Sequence, residues 1–175
     1  THTHYIKKLF KHTYIFCEKP PCNNKKDLSY LSKINLENIY FNFNYRFSNI
    51  FEALKKRNKY NLGKLLYANI INGHAFALKK DYINNYRSNK KKSPNGILEV
   101  VTIHFIDLIN YIFDIKEFKI SKMKSLSKYG SSYDNSIVQI ISKENSFINI
   151  YNSWTTQLIN SKKFIFENGS IEEED

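Results

Sequence analysis

Hydrophobic positions along the chain change period several times, and the changes mark out its elements. Residues 4–12 place Tyr5, Ile6, Leu9 and Phe10 at helical spacing, which predicts the end of an amphipathic helix. Tyr14-Ile15-Phe16-Cys17 reads as a short buried strand that runs into Glu18-Lys19 and is stopped by Pro20-Pro21. Helix followed directly by strand is one half of a βαβ unit. Asn24 is a natural cap for a second helix, with Leu28, Leu31 and Ile34 on its apolar side. Residues 39–47 alternate, with Phe41, Phe43 and Tyr45 on one side, the pattern of a half-buried strand. Ser48 or Asn49 opens a third helix through about residue 59, with Ile50, Phe51 and Leu54 inward and Gly63 expected at its close.

The second half has a different rhythm. Residues 65–75 predict a long strand, and residues 76–95 a polar loop dotted with aromatic residues. A loop of that length is usually functional or mobile unless it has structure of its own. Residues 98–113 carry the strongest helical pattern in the chain. Strands follow at 118–126, 136–142, 147–155 and 163–166, separated by turn residues such as Lys143-Glu144-Asn145 and Asn168-Gly169. Successive strands on short turns predict an antiparallel meander, and the acidic end at 172–175 is expected to fray. The fold class is therefore α+β: the last part of a Rossmann-type α/β unit, then a mostly antiparallel open sheet covered by helices. Residues 1–37 read as the remnant of a dinucleotide-binding domain and 38–175 as a substrate and oligomerisation domain.

Composition changes this picture little. The net charge of +11 raises the question of an anionic partner. The lysines are spread along the chain, however, and the one dense run, Lys90-Lys91-Lys92, lies in a loop with no nucleic-acid-binding motif beside it. Joint enrichment in Lys, Asn, Ile, Tyr and Phe is what an A/T-rich coding sequence produces, so the charge argues weakly for nucleic acid. No apolar run approaches the ~18 residues that span a bilayer, and the start lacks the pattern of a signal peptide. Cys17 and Cys22 have neither redox nor zinc spacing, which points to no metal and to a reducing, cytoplasmic setting.

Chemistry gathers at two places. A strand ending Glu18-Lys19-Pro20 presents a cation at the carboxyl edge of a sheet, where open α/β sheets bind ligands. On the helix 98–113, Leu98, Val101, Phe105, Leu108, Ile109 and Ile112 fall within an arc about 100° wide that faces the sheet. His104 and Asp107 lie one turn apart on the stripe beside it. A histidine next to a carboxylate at the border of an apolar face is a candidate acid/base group; a histidine satisfied within its helix is the plainer alternative.

Taken together, Thr3-His4, Glu18-Lys19-Pro20, Asn44-Tyr45-Arg46-Phe47, Gly63-Lys64-Leu65, Tyr86-Arg87, Gly96, His104 with Asp107, Asp134-Asn135-Ser136 and Ser153-Trp154 resemble the Gfo/Idh/MocA family. Those proteins are NAD(P)-dependent oxidoreductases acting on sugars, inositols and related polyols. The resemblance implies that Lys19 contacts both the nicotinamide region and the substrate hydroxyl, that Glu18 and Pro20 belong to the same cofactor-side turn, and that His104 acts as acid/base. It further implies that Arg87 and Asp107 touch substrate, that the cofactor is NAD or NADP, and that the sheet mediates homo-oligomer formation.

Two departures stand out. Family members commonly have an aspartate one turn before the histidine, where this chain has Val100. Glu99 would point roughly 140° away from His104 on an ideal helix. The sequence also contains no G-x-G-x-x-G turn to receive a pyrophosphate. It therefore reads as a family member cut at both ends, and an inactive remnant serving as an interaction module is the alternative to an enzyme. The substrate, and the choice between NAD and NADP, are not encoded in any motif present.

Overall fold

The computed structural model describes residues 2–22 and 24–174. The chain divides into two compact units, Thr1–Asn44 and Tyr45–Asp175.

The first unit holds α1 (His2–Leu9), β1 (Ile15–Glu18), α2 (Lys25–Leu31) and β2 (Ile39–Asn42). β1 and β2 pair in parallel from Ile15 beside Ile39 to Glu18 beside Asn42. Its small core is Ile6, Cys17, Leu31 and Ile39, with Phe10, Ile34 and Phe41 packed around it. The expected cap of α2 is present: the Asn24 side chain accepts the Asp27 N–H at 2.9 Å and so satisfies one orphan donor of the first turn. Two expectations need correction. The strand ending at Cys17 is not buried on both faces, because Tyr14 and Phe16 are exposed and Phe16 stacks on Tyr40 at 5.3 Å. The second strand stops at Asn42, and Asn44–Phe47 is a 3₁₀ turn. The alternation of residues 43 and 45 persists in the sequence without strand geometry.

In the second unit, α3 (Asn49–Lys55) is capped by Ser48, which accepts the Phe51 N–H, and buries Ile50, Phe51 and Leu54 as expected. It ends at Lys55, eight residues before Gly63, so Gly63 (φ 76) shapes the entry to the next strand and is not the helix cap. The sheet comprises β3 (Leu65–Gly73), β4 (Ile115–Lys124), β5 (Asn135–Ser142), β6 (Phe147–Ser153), β7 (Ile159–Phe166) and β8 (Gly169–Glu174) in the order β4-β5-β6-β3-β7-β8. The meander is thus interrupted: β3 is inserted between β6 and β7 and runs parallel to β6. The acidic end does not fray. Residues 172–174 are the outer half of β8, tied to β7 by the Lys162–Glu173 and Lys163–Glu172 ion pairs.

The long helix is present, but it begins with a π turn, Leu98–Thr102, before α4 (Ile103–Phe113). Its Phe105, Leu108, Ile109 and Phe113 pack with α3 on one face of the sheet, against Ala68 and Ile70, Val138 and Ile140, Ile148 and Ile150, and Phe164 and Phe166. Gly96 fixes how the helix starts. It has φ of 52°, and a Cβ there would fall 1.9 Å from the Tyr133 carbonyl oxygen. The segment expected as a long polar loop has structure of its own, three 3₁₀ turns at Ala75–Leu78, Lys80–Asn84 and Tyr86–Ser88. Tyr82 is their anchor, fully buried with Ala77, Ile97 and Trp154. No helix among the described residues is long and apolar enough to cross a membrane.

Candidate functional site

Alternation along a strand sends every second residue to the same face of the sheet. On the helix-covered face of the second unit, that phase reads Ala68, Ile70, Asn72 on β3 and Ile148, Ile150, Asn152 on β6. On β7 it reads, in the opposite chain direction, Phe164, Lys162, Asn160. Because Ser136 faces Asn152, Asn152 faces Asn72, and Asn72 faces Asn160, the last polar residues form one row across four strands. The row lies at the carboxyl ends of the parallel pair β3 and β6. The face therefore changes from an apolar floor to a polar one within a single step of the pleat.

Polar groups are costly to bury unless partnered, and most of these are partnered. Lys162 is almost fully buried, and its ammonium is held by the Glu173 carboxylate and the Asn160 side-chain oxygen. The Thr102 hydroxyl, at the end of the π turn, meets the Ser136 hydroxyl at 2.8 Å and accepts the Asn152 amide at 2.9 Å. The Asn152 carbonyl oxygen is buried without a hydrogen-bond partner. Two residues beyond Thr102, His104 is 8% exposed and stacks on Tyr45 at 5.0 Å. Burial and, second, the Glu173 carboxylate push the Tyr45 phenol above its usual range. His104, Tyr45, Lys162, Glu173 and the Asn row thus belong to one end of this unit.

Asp107 is engaged differently. Both of its oxygens receive Arg46, at 2.7 Å from Nε and 2.6 Å from Nη2, a bidentate charge-assisted pair. Arg46 also lies over the Tyr111 ring at 4.8 Å. Glu99 accepts from Ser93 at 2.5 Å and from Asn95 at 3.3 Å. The 140° separation from His104 expected for Glu99 assumed an α-helix, and the intervening π turn removes that assumption, since its bonds close five residues apart instead of four. Val100 packs with the aromatic cluster around Tyr82 and Trp154.

Arg87 projects from the third 3₁₀ turn. Its guanidinium lies 5.9 Å from the Phe76 ring and 5.3 Å from the Tyr86 ring. His74, the residue after β3, stacks edge-on against Phe76 at 5.6 Å and accepts the Phe76 N–H through Nδ1 at 3.1 Å. Burial, then Lys79 and Arg87, hold the His74 imidazole below its ordinary pKa. The Tyr82 phenol donates to the Arg87 carbonyl at 3.1 Å and is pushed up to about 12, chiefly by burial.

Lys19, Glu18 and Pro20 fall in the first unit. Glu18 closes β1 and accepts the Asn42 amide at 2.7 Å, so the carboxyl ends of the two parallel strands are joined there. Lys19 follows, and its bond to Pro20 is cis. Burial raises both Cys17 and Cys22 above the usual thiol range, reinforced by Glu18 and Asp27 respectively, which leaves them poor nucleophiles.

Asn72, Asn152, Asn160, Lys162 and Glu173 were not singled out from the sequence, and Tyr45 was noted only as a strand and motif residue. A signal was nevertheless there: polar residues in the core phase of three otherwise apolar strands. Beginning the seventh strand at residue 163 hid Asn160 and Lys162.

No family profile matches the sequence, and no curated protein matches it by sequence. Solved structures do match by shape. A myo-inositol dehydrogenase from Corynebacterium glutamicum superposes with a TM-score of 0.80 at 21% identity, over 100% of this chain and 54% of that one. An inositol dehydrogenase homolog from Azotobacter vinelandii, complexed with NAD+, gives 0.79 at 19% identity, over 100% and 49%. A putative NADPH-dependent oxidoreductase from Desulfitobacterium hafniense gives 0.85 at 13% identity, over 99% and 51%. The chain spans about half the length of these structures, matching their C-terminal part. The α+β fold expected from the sequence resemblance is the fold they share with it.

Proposed function

We propose that this chain forms the substrate-side part of an oxidoreductase that moves a hydride between a nicotinamide cofactor and a carbinol of a sugar or polyol. The observation that carries the reading is the polar row at the carboxyl ends of β3 and β6, at the same end of the unit as His104, in a fold shared with an inositol dehydrogenase homolog complexed with NAD+ and a putative NADPH-dependent oxidoreductase. Burying polar groups costs stability unless each is hydrogen-bonded, and a hydroxyl-rich substrate would supply a partner to the unpartnered Asn152 side-chain oxygen.

The cofactor, when bound, accepts the hydride. This chain's residues fit its nicotinamide side: Glu18 and Lys19 stand at the joined carboxyl ends of two parallel strands, as such a ligand requires. They do not supply the glycine turn for a pyrophosphate. Lys19 acts at that cofactor-side edge. His104 takes the hydroxyl proton as the carbon gives up its hydride. Lys162, held by Glu173, and the Asn row orient hydroxyls. Asp107 positions Arg46 and the 3₁₀ turn bearing Tyr45, and Arg87 addresses a more distant part of the substrate. On this reading the first unit, which includes β2 and so reaches Asn44 where the sequence set the boundary at 37, ends a dinucleotide-binding domain, and residues 45–175 form the substrate and oligomerisation domain. The open sheet face, with Ile137 and Phe147 exposed, is the surface for a homo-oligomer. Two free thiols support a cytoplasmic setting.

Val100 favours a second reading, an inactive interaction module, because it places an apolar group where a proton-relay carboxylate belongs. Fluorescence titration with NADH and NADPH, followed by a turnover screen against inositols and sugars, separates the two. Turnover that falls by about 10²–10⁴-fold in His104→Gln, with the thermal midpoint kept, supports acid/base catalysis. An unchanged kcat in that variant refutes the assignment, and absence of cofactor binding at millimolar concentration favours the module.

A further inference from the structure

The corner at the carboxyl end of β3 holds Arg87 together with two further basic groups, Lys79 and His74, that the reaction outlined above does not use. His74 leaves the strand end, Lys79 follows the first 3₁₀ turn, and Arg87 comes from the third. Two of the three meet at one ring: Phe76 is contacted edge-on by His74 at 5.6 Å and covered by Arg87 at 5.9 Å, while the Lys79 N–H donates to the Phe76 carbonyl at 3.4 Å. The turns themselves are fixed, because the Arg87 carbonyl is held by the buried Tyr82 phenol and the Arg87 N–H by the Asn85 side chain at 3.0 Å. Among the described residues, neither Lys79 nor Arg87 makes an ion pair. Asp81, two residues after Lys79 in the second 3₁₀ turn, is exposed and pairs with neither cation among the described residues, and Glu99 and Asp134 are committed elsewhere. Glu99 is bonded to Ser93 and Asn95, and Asp134 accepts the Leu126 and Ser127 N–H groups and the Asn135 amide. Two unneutralised cations therefore converge on an imidazole whose protonation they oppose.

Such a corner suits an anion. A planar guanidinium, an ammonium and an imidazole offer directed donors to a tetrahedral or planar oxyanion, and the guanidinium can bind two oxygens at once. Phe76 connects the corner to the helix, since it packs on the same aromatic cluster as Val100, one turn before His104. A molecule lying along this end of the unit would present one end to His104 and the other to Arg87.

We propose that His74, Lys79 and Arg87 form a subsite for a carboxylate or phosphate group of the substrate, so that the substrate class is an acidic polyol, such as a sugar acid or sugar phosphate, and not a neutral polyol. The assignment of that anion to a substrate rests on the oxidoreductase reading above; the anion subsite itself does not.

The probes are sulfate, which stays fully charged across the working pH range, D-gluconate and myo-inositol. Each is titrated into the protein at constant ionic strength while the His74 imidazole is followed by NMR, with His74→Gln used for assignment. Sulfate and gluconate are expected to move the His74 signals saturably and to raise the imidazole pKa, so that anion affinity grows as pH falls. Lys79 and Arg87 are the other charged groups acting on His74. Arg87→Ala is expected to weaken both anions at least tenfold and Lys79→Ala severalfold, whereas Lys91→Ala, outside the corner, changes them less than twofold. No saturable response, or equal affinity in Arg87→Ala, overturns the subsite. A response to sulfate without gluconate marks an adventitious ion only and overturns the substrate class, as does an equal response to myo-inositol. No cofactor enters this readout, so an intact His74 response without NAD-linked turnover would overturn the oxidoreductase reading and leave the subsite standing.

Discussion

The two ends of one sheet face do different work. Toward the amino ends of β3 and β6, Ala68, Ile70, Ile148, Ile150 and Phe164 lie under Phe105, Leu108, Ile109 and Phe113 with essentially no exposure. Toward the carboxyl ends, the same alternation delivers Asn72, Asn152 and Asn160, with Lys162 beside Ile70 at the boundary. Strand geometry does not distinguish the two halves; only the side chains do. The apolar end contributes transfer free energy with no partner requirement. The polar end contributes little, since each group exchanges water for a protein partner at a small net gain and the Asn152 carbonyl gains none. A sequence that keeps such a row in a core phase gives up stability there, as sites for ligands generally do.

The strongest way to break this comparison is to make a cavity at the apolar end. Leu108, on α4, is 1% exposed and belongs to the core cluster between that helix and the sheet. Leu108→Ala is expected to cost about 2–5 kcal/mol, through lost burial plus the void left behind, read as a lower urea midpoint at unchanged m-value. Asn152→Leu tests the other end. It replaces an amide with one orphan oxygen by an apolar group of similar size, and Thr102 retains Ser136 as a partner. Stability should change by no more than about 1 kcal/mol, with a gain as the expected sign. A loss as large as that of Leu108→Ala would mean that Asn152 is structural and that the two ends are not distinct.

Much of this division was legible from local pattern. The caps at Asn24 and Ser48, the inward set Ile50, Phe51 and Leu54, and the sheet-facing stripe of the long helix need only near neighbours, and the structure has them all. What was not legible depends on distant pairing. Nothing around residues 65–73 says that β3 will lie between β6 and β7, and only that register turns three separate asparagines into a row. The acidic end looked frayed because its partners, Lys162 and Lys163, lie across a turn on a strand whose start was set too late. The π turn before His104 was equally hidden, because periodicity over 98–113 fits an unbroken α-helix well enough. His104, Asp107 and Arg87 could be nominated one by one, but the bidentate hold of Arg46 on Asp107 and the gathering of His74 and Arg87 on Phe76 are facts of tertiary structure.

The smallest expected effect sharpens the comparison at the mouth of the polar end. In the folded chain, burial, Lys79 and Arg87 hold the His74 imidazole below its usual 6.5, a value it regains on unfolding. The folded state therefore binds the proton more weakly. The contribution of this group to stability is complete above the unfolded value, and it is lost as pH falls through the depressed folded one. Protonation also removes the acceptor that Nδ1 offers to the Phe76 N–H. Urea midpoints measured from pH 7.5 down to 5 should thus fall more steeply in the wild-type protein than in His74→Gln, which has no proton to gain. Leu108→Ala, whose site holds no titratable group, should run parallel to wild type across the same range. Parallel curves for wild type and His74→Gln would mean that the two cations do not act on His74, and would remove the electrostatic distinction between this corner and the rest of the sheet face.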